Sequence, residues 1–275
     1  MTTQRGTKDE TRLAGFPAFV RELDATLSVH PQYVLWGNLH DSFLVPEEGR
    51  LFPLRDLLWE TLRRSGYSFM VVYDQVDGLR VLPADDRAAA DAAASLFGSR
   101  VDERKVPSLE GLRTYLSSLA RPGRPVRAAF VIDYASRIAR NPTELEPAEK
   151  DFFVFCEKLS RTATPVRTDG ERPKPLYNPI IWLAGRPGDL PPWFTTGNDG
   201  IREISVPRPH LGDRQQTARL LARAFGSDDP SVEVTDDFAQ EAEGLTLQAM
   251  IEVTRLAKER DVALDDLPDA VRTYK

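Results

Sequence analysis

The sequence predicts an α/β domain: a five-stranded parallel sheet with helices on both faces, followed by a small C-terminal helical lid. Three observations carry that expectation. Short, continuously apolar runs alternate with amphipathic helical stretches over most of the chain, and strands covered on both faces read as unbroken apolar runs. After Pro209 the alternation stops and the pattern is helical only. The size, 275 residues of which 41% are hydrophobic and 28% charged, suffices for a full core with a small satellite.

Residues 1–11 are polar and are expected to form a disordered tail, with the α/β core over 12–210 and the lid over 211–275. Phe16, Phe19, Val20, Leu23 and Leu27 recur at helical spacing, and Pro31 closes that helix. Residues 33–36 read as the first buried strand. Leu54, Leu57, Leu58 and Leu62 mark a second helix, ended at Gly66. YSFMVVYD is the next strand, and VDGLRVLP extends it as a turn and short strand. Asp85 or Asp86 caps an alanine-rich helix, and Ser108 caps the following one, whose face carries Leu109, Leu112, Leu116 and Leu119. AAFVIDY is the clearest buried strand. EKDFFVFCEKLSR is an amphipathic helix with Cys156 on its apolar side, and TPVRTDGERPKPLYN is a polar surface loop. NPIIWLAG and GIREISVP complete the sheet. Helices are predicted at 212–225, 235–243, 246–260 and 264–273. Leu220, Leu221, Phe225, Phe238, Leu247, Met250, Ile251, Val253 and Leu256 supply the buried side of these helices, and Arg214, Arg219 and Arg223 an exposed side.

Composition narrows the function classes. A net charge of −6 gives no reason to expect a broad nucleic-acid-binding face. A single cysteine, Cys156, forms no intrachain disulfide and fits a reducing cytoplasm. The polar start lacks the apolar region of a signal peptide, and no apolar run approaches the roughly 18 residues that span a bilayer. A soluble cytoplasmic protein is expected. His30, His40 and His210 are scattered, with no partner at ligand spacing. Asp74, Asp77 and Asp133 fall at the carboxyl ends of strands, where α/β sites form, and three such carboxylates can hold Mg²⁺. Turn and cap carboxylates are the stronger reading of them, and no metal centre is expected. GxSxG, HExxH, CxxC and GxGxxG are all absent.

The element order, together with several local motifs, resembles an AAA+ ATPase module over residues 13–275. AAFVIDY resembles a Walker B strand ending in Asp133, with Tyr134 where that family carries its glutamate. A phenol cannot act as the base at neutral pH. NPIIWLAGRPGDLPPWF resembles the sensor-1 strand and loop: Arg186, Pro187, Asp189, Leu190 and Pro191 match, and Gly185 stands at the asparagine position. Thr196 and Asp199 occupy the arginine-finger positions, and Arg202 is shifted by three residues from that alignment. IREISVPRPHLGDRQQTARLLARAF resembles the last strand and first lid helix, and EGLTLQAMIEVTRLAKERD a lid helix opening at Gly244. The phosphate loop departs from the pattern. Laid on GxxxxGK[ST] from Gly37, the second glycine is Ser42, the lysine Phe43 and the hydroxyl Leu44. No glycine in the chain precedes a lysine, and Asp41 adds negative charge.

This resemblance implies a degenerate module like the first of two in larger bacterial AAA ATPases. DLPDAVRTYK resembles the join to a second, Clp-type module. The implied role is a non-catalytic regulatory, scaffolding or substrate-recruiting domain. Its partner is an AAA+ ATPase module in cis or trans, in an assembly that can be oligomeric, and it needs no ATP or Mg²⁺ of its own. Gly37–Phe43 is then an ordinary loop and Asp133 a structural relic. Two alternatives stand beside it. One is an ATPase with a nonstandard phosphate site, or a Mg²⁺-dependent hydrolase using Asp74, Asp77 and Asp133. The other is a clamp-loader-like subunit.

Overall fold

A computed structural model describes residues 12–168, 174–225 and 231–275. The tail over 1–11 and the middle of the polar loop, 169–173, lie outside the described residues. In chain order the elements are helix α1 (Ala18–Thr26), strands β1 (Gln32–Gly37), β2 (Ser42–Val45) and β3 (Arg50–Pro53), helix α2 (Leu54–Arg64), strands β4 (Phe69–Asp74) and β5 (Gly78–Leu82), helices α3 (Arg87–Phe97) and α4 (Leu109–Ala120), strand β6 (Ala128–Ile132), helix α5 (Pro147–Thr162), strand β7 (Ile180–Ala184), the short helix α6 (Pro192–Thr195), strand β8 (Ile201–Val206), and helices α7 (Leu211–Ala222), α8 (Val232–Glu241), α9 (Leu247–Glu259) and α10 (Leu267–Tyr274). These residues divide into two compact units. The α/β unit comprises Ala18–Leu39 and Leu58–Val206, and the mainly helical unit residues 12–17, His40–Leu57 and Pro207–Lys275.

The sheet has six strands in the order β5–β4–β6–β7–β1–β8, one more than expected. Five are parallel, as predicted, and the sixth, β5, pairs antiparallel with β4, Val71 opposite Val81. Only three residues separate β4 from β5. A connection that short permits a hairpin and nothing else, because a parallel neighbour needs a crossover of a dozen residues or more. Strands β6 and β7 are buried along their whole length. Alternate side chains, Phe69, Val71, Phe130, Ile132, Ile180 and Trp182, join the core formed with α3–α5. Their neighbours Met70, Val72, Ala129, Val131 and Ile181 are equally buried, so the sheet is covered on both faces.

The predicted caps locate the helices. Asp86 accepts the amides of Ala88 and Ala89 at the start of α3, and Ser108 that of Gly111 at the start of α4. Trp182 stacks on Phe153 with ring centroids 5.8 Å apart and meets Phe194 edge-on at 5.2 Å. Its indole N–H donates to Gln32 Oε1, and Gln32 Nε2 donates to the Cys156 carbonyl at 2.7 Å. A wholly buried glutamine thereby has partners at both ends. Asn178 does similar work ahead of β7. Its oxygen accepts the Ala128 amide, and its nitrogen donates to the Leu119 and Val126 carbonyls.

In the helical unit, Ala218, Phe238, Leu247, Met250, Val253, Leu267 and Val271 share a core with Leu44 of β2. The β2–β3 hairpin, which lies inside the α/β alternation in sequence, thus packs with α7–α10. Leu220, Leu221, Phe225 and Ile251 are half-buried, and Leu256 is exposed, against expectation. Arg219 and Arg223 face solvent as predicted, but Arg214 is buried. Its Nε donates to the Ala239 carbonyl at 2.8 Å and its Nη1 to the Pro209 carbonyl at 3.0 Å. Ala239 lies in the last turn of α8, where carbonyls have no intrahelical partner and a cation is favoured. Among the described residues no helix is long and apolar enough to cross a membrane.

Asn178→Ala removes three buried hydrogen bonds and leaves three backbone groups unsatisfied. It is expected to lower unfolding free energy by about 2–4 kcal/mol. Urea unfolding followed by tryptophan fluorescence measures this. A change under about 0.5 kcal/mol, typical of a neutral surface site, would show that Asn178 is not the pin described.

Candidate functional site

A phosphate loop works because backbone N–H groups converge on the ligand at a helix N-terminus. After β1 this chain uses those groups otherwise. Gly37 adopts φ +112°, and a Cβ there would lie 2.7 Å from the Val206 carbonyl oxygen of β8. The backbone therefore comes closer to the neighbouring strand than any other residue permits. The Asn38 amide donates to that same carbonyl at 3.0 Å and the Leu39 amide to Gly37 O at 2.9 Å.

In the helical unit the chain resumes at His40 and enters β2 at Ser42. Ser42 and Phe43, expected in an ordinary loop, are strand residues paired with Pro53 and Phe52 of β3. Phe43 and Leu44 are buried, so the lysine and hydroxyl positions of the motif hold core side chains. Helix α2 begins only at Leu54, beyond the hairpin. Asp41 is 4% exposed. Its Oδ1 accepts the Ser42 amide at 2.7 Å and the Gln248 amide at 2.8 Å. Gln248 is the second residue of α9, just inside the Thr246 N-cap. A carboxylate of the protein thus sits on a helix N-terminus, where an anion is stabilised. Ser42 Oγ adds a bond to Gln248 Oε1 at 2.9 Å. At the same end of the unit, Gly244 at φ +80° precedes α9, and its carbonyl accepts from Arg208.

The other strand ends of the α/β unit follow the same pattern. Asp74 Oδ1 accepts the Val76 and Asp77 amides, each at 2.7 Å. Asp133 Oδ1 accepts the Tyr134 amide at 2.8 Å, while the Asp133 amide donates to Tyr73 O. Asp189 Oδ2 accepts the Arg186 amide at 2.9 Å, and a Cβ on Gly185 would lie 3.1 Å from that oxygen. Asp77 lies 3.9 Å from Arg80. Among the described residues no three His, Cys, Asp or Glu side chains gather as a metal-binding group, so Asp74, Asp77 and Asp133 do not converge on one point. Tyr134 takes a left-handed conformation, φ 47° and ψ 38°, and is half exposed.

The remaining candidates have local roles. Arg202 pairs with Glu22 at 2.6 Å. Thr196 closes α6, and the Asp199 carbonyl accepts from His30. His210 caps α7 by accepting the Asp213 amide. Burial pushes the Cys156 thiol well above its ordinary range, against a smaller opposing pull from Arg113, which leaves it unreactive. Sequence reasoning missed the hairpin and with it the role of Asp41. The signal was present: two short apolar runs flank Pro-Glu-Glu-Gly, and Gly49 adopts φ +61°.

A mostly parallel sheet with helices on both faces defines a doubly wound α/β module, the fold class that the sequence predicted. A family model described as the AAA+ chaperone, N-terminal Rossmann-like domain, matches residues 7–207. The chain belongs to that family. No curated protein matches its sequence. Among solved structures, a chain of the E. coli MS115-1 HORMA:CdnC:Trip13 complex is similar, with a TM-score of 0.54 at 12% identity, over 98% of this chain and 82% of that one. At that identity the likeness concerns the fold alone.

Asp41→Ala leaves two buried amides without their acceptor. The expected cost is about 2–3 kcal/mol, with a smaller loss for Asp41→Asn, which keeps one acceptor oxygen. Hydrogen exchange should accelerate at the Ser42 and Gln248 amides. Unchanged protection at Gln248 in the alanine variant would rule out the carboxylate as the cap of α9.

Proposed function

We propose that this chain is a non-catalytic AAA+ module that acts as a regulatory, scaffolding or substrate-recruiting domain, with hydrolysis supplied by an AAA+ ATPase module in cis or in trans. The observation that carries the reading is the engagement of the Asn38, Leu39 and Ser42 amides within the chain, in the segment where a phosphate loop would hold them open. The missing lysine and hydroxyl support it, because Phe43 and Leu44 are packed in a core and cannot turn toward a ligand without unpacking it. Tyr134 in place of the glutamate supports it again, since a phenol cannot take a proton from water at neutral pH. Membership of a chaperone N-terminal domain family fits a role in presenting partners or substrates to an ATPase. The module boundary belongs to this proposal too, with an α/β core to about residue 210 and a lid beyond it.

Calorimetry of the chain with ATP and Mg²⁺ should detect no binding tighter than about 1 mM. A dissociation constant in the low-micromolar range, about −8 kcal/mol, would overturn the proposal in favour of a nonstandard nucleotide site. In a complex that contains the chain, Asp133→Asn should leave ATP turnover within about twofold, under roughly 0.5 kcal/mol of barrier. A hundredfold loss at unchanged melting temperature would place chemistry at Asp133.

A further inference from the structure

We propose that the open edge of β8 pairs antiparallel with the same edge of a second copy of this chain, joining two six-stranded sheets into one across a two-fold axis. Such pairing is independent of whether the chain binds nucleotide, and goes beyond the role proposed above.

Strand β8 ends the sheet and pairs with β1 alone. The register shows which of its backbone groups are used. The Gln32 amide donates to the Gly200 carbonyl and the Asn38 amide to that of Val206. The N–H and C=O of one strand residue point to the same side, and those of the next residue to the other. The even-numbered residues of β8 therefore face β1, and Ile201, Glu203 and Ser205 turn their backbone outward. The Ile201 amide already donates to the Asn198 carbonyl at 2.9 Å. Pro207, next in the outward series, has no amide hydrogen. Two outward donors remain, at Glu203 and Ser205, with the carbonyls of the same residues. Both residues are exposed, and among the described residues neither makes a further hydrogen bond or ion pair. The other edge of the sheet is treated differently. The Val81 amide of β5 donates to Glu103 Oε1 at 2.8 Å, and a Cβ on Gly78 would lie 2.8 Å from the Lys105 carbonyl oxygen. The segment before α4 thus lies against β5.

An open strand edge is filled by another strand, and this edge fits itself in the one register that uses every donor. With Glu203 opposite Ser205 of the second copy, the two donors of each copy meet the two carbonyls of the other. Each glutamate also stands opposite a serine whose hydroxyl can donate to it. At the axis Ile204, 3% exposed, faces its own counterpart as an apolar pair. The neighbouring registers are worse. Glu203 opposite Glu203 sets like charges together and turns Ser205 toward Ile201, whose amide is already used. Ser205 opposite Ser205 sets Glu203 against Pro207, which has no donor. Arg202 points to the other face of the sheet, where it is paired with Glu22 of α1, so it does not disturb the Glu203 and Ser205 row. The contact is short, which places the dimer in the weak, transient class.

Sedimentation equilibrium of the full chain from about 10 µM to 1 mM tests this pairing. The weight-average mass should rise from 30.8 kDa toward twice that value. A mass that stays at the monomer value throughout overturns the proposal. Ser205→Glu sets carboxylates against each other at both outward pairs and should weaken association about tenfold. Exchanging the two side chains, Glu203→Ser with Ser205→Glu, puts glutamate opposite serine again and should bring the affinity back to within about twofold of wild type. Glu203→Pro removes one outward donor and none that bonds to β1. It should melt near the wild-type temperature and sediment as a monomer. A Ser205→Glu chain that associates like wild type overturns the proposal, as does an exchanged chain that stays as weak as Ser205→Glu alone. So does a Glu203→Pro chain that melts like wild type and still dimerises.

Discussion

A parallel sheet leaves backbone amides beyond its carboxyl ends without ladder partners, and those amides must find acceptors. How this chain supplies them governs most of its chemistry. Four parallel strands are followed by turns in which an aspartate carboxylate receives the amides: Asp41 after β1, Asp74 after β4, Asp133 after β6 and Asp189 after β7. In a nucleotide-binding fold the phosphates fill part of that role. Here the protein carries the anions itself, after four of the five parallel strands, and Asp41 in addition accepts the Gln248 amide at the start of α9.

The same economy of polar groups runs through the interior. Gln32, Asn178 and Arg214 are buried polar side chains, and each bridges elements far apart in sequence through two or more hydrogen bonds. Burying such groups is costly when partners are lacking and nearly neutral when they are complete. Their contribution is therefore positional: they fix where β1, β7 and α8 meet their neighbours, while the apolar strands and the Phe152–Phe153–Trp182–Phe194 cluster supply most of the stabilisation.

Most of the fold was legible because its strands are unbroken apolar runs and its helices carry caps, as at Asp86 and Ser108. What was hidden has specific causes. Strand β2 is four residues long and buried throughout, so it shows no alternation by which to recognise it. Arg214 reads as a surface residue by type, and only the three-dimensional approach of the α8 carboxyl end shows why it is buried. The identity of Tyr134 was plain in the sequence, but its left-handed backbone was not, because tyrosine has no preference for that conformation. Asp41 was read as a charge that repels phosphate, and its position on two backbone amides required the hairpin that the sequence reading missed.

Open amides at a strand end are useful only when a ligand arrives; without one they are unsatisfied donors that destabilise the fold. A module that binds nucleotide must bear that cost in its empty state. Carboxylate-capped turns remove it, since the anion is always present and needs no conformational change to reach its donors.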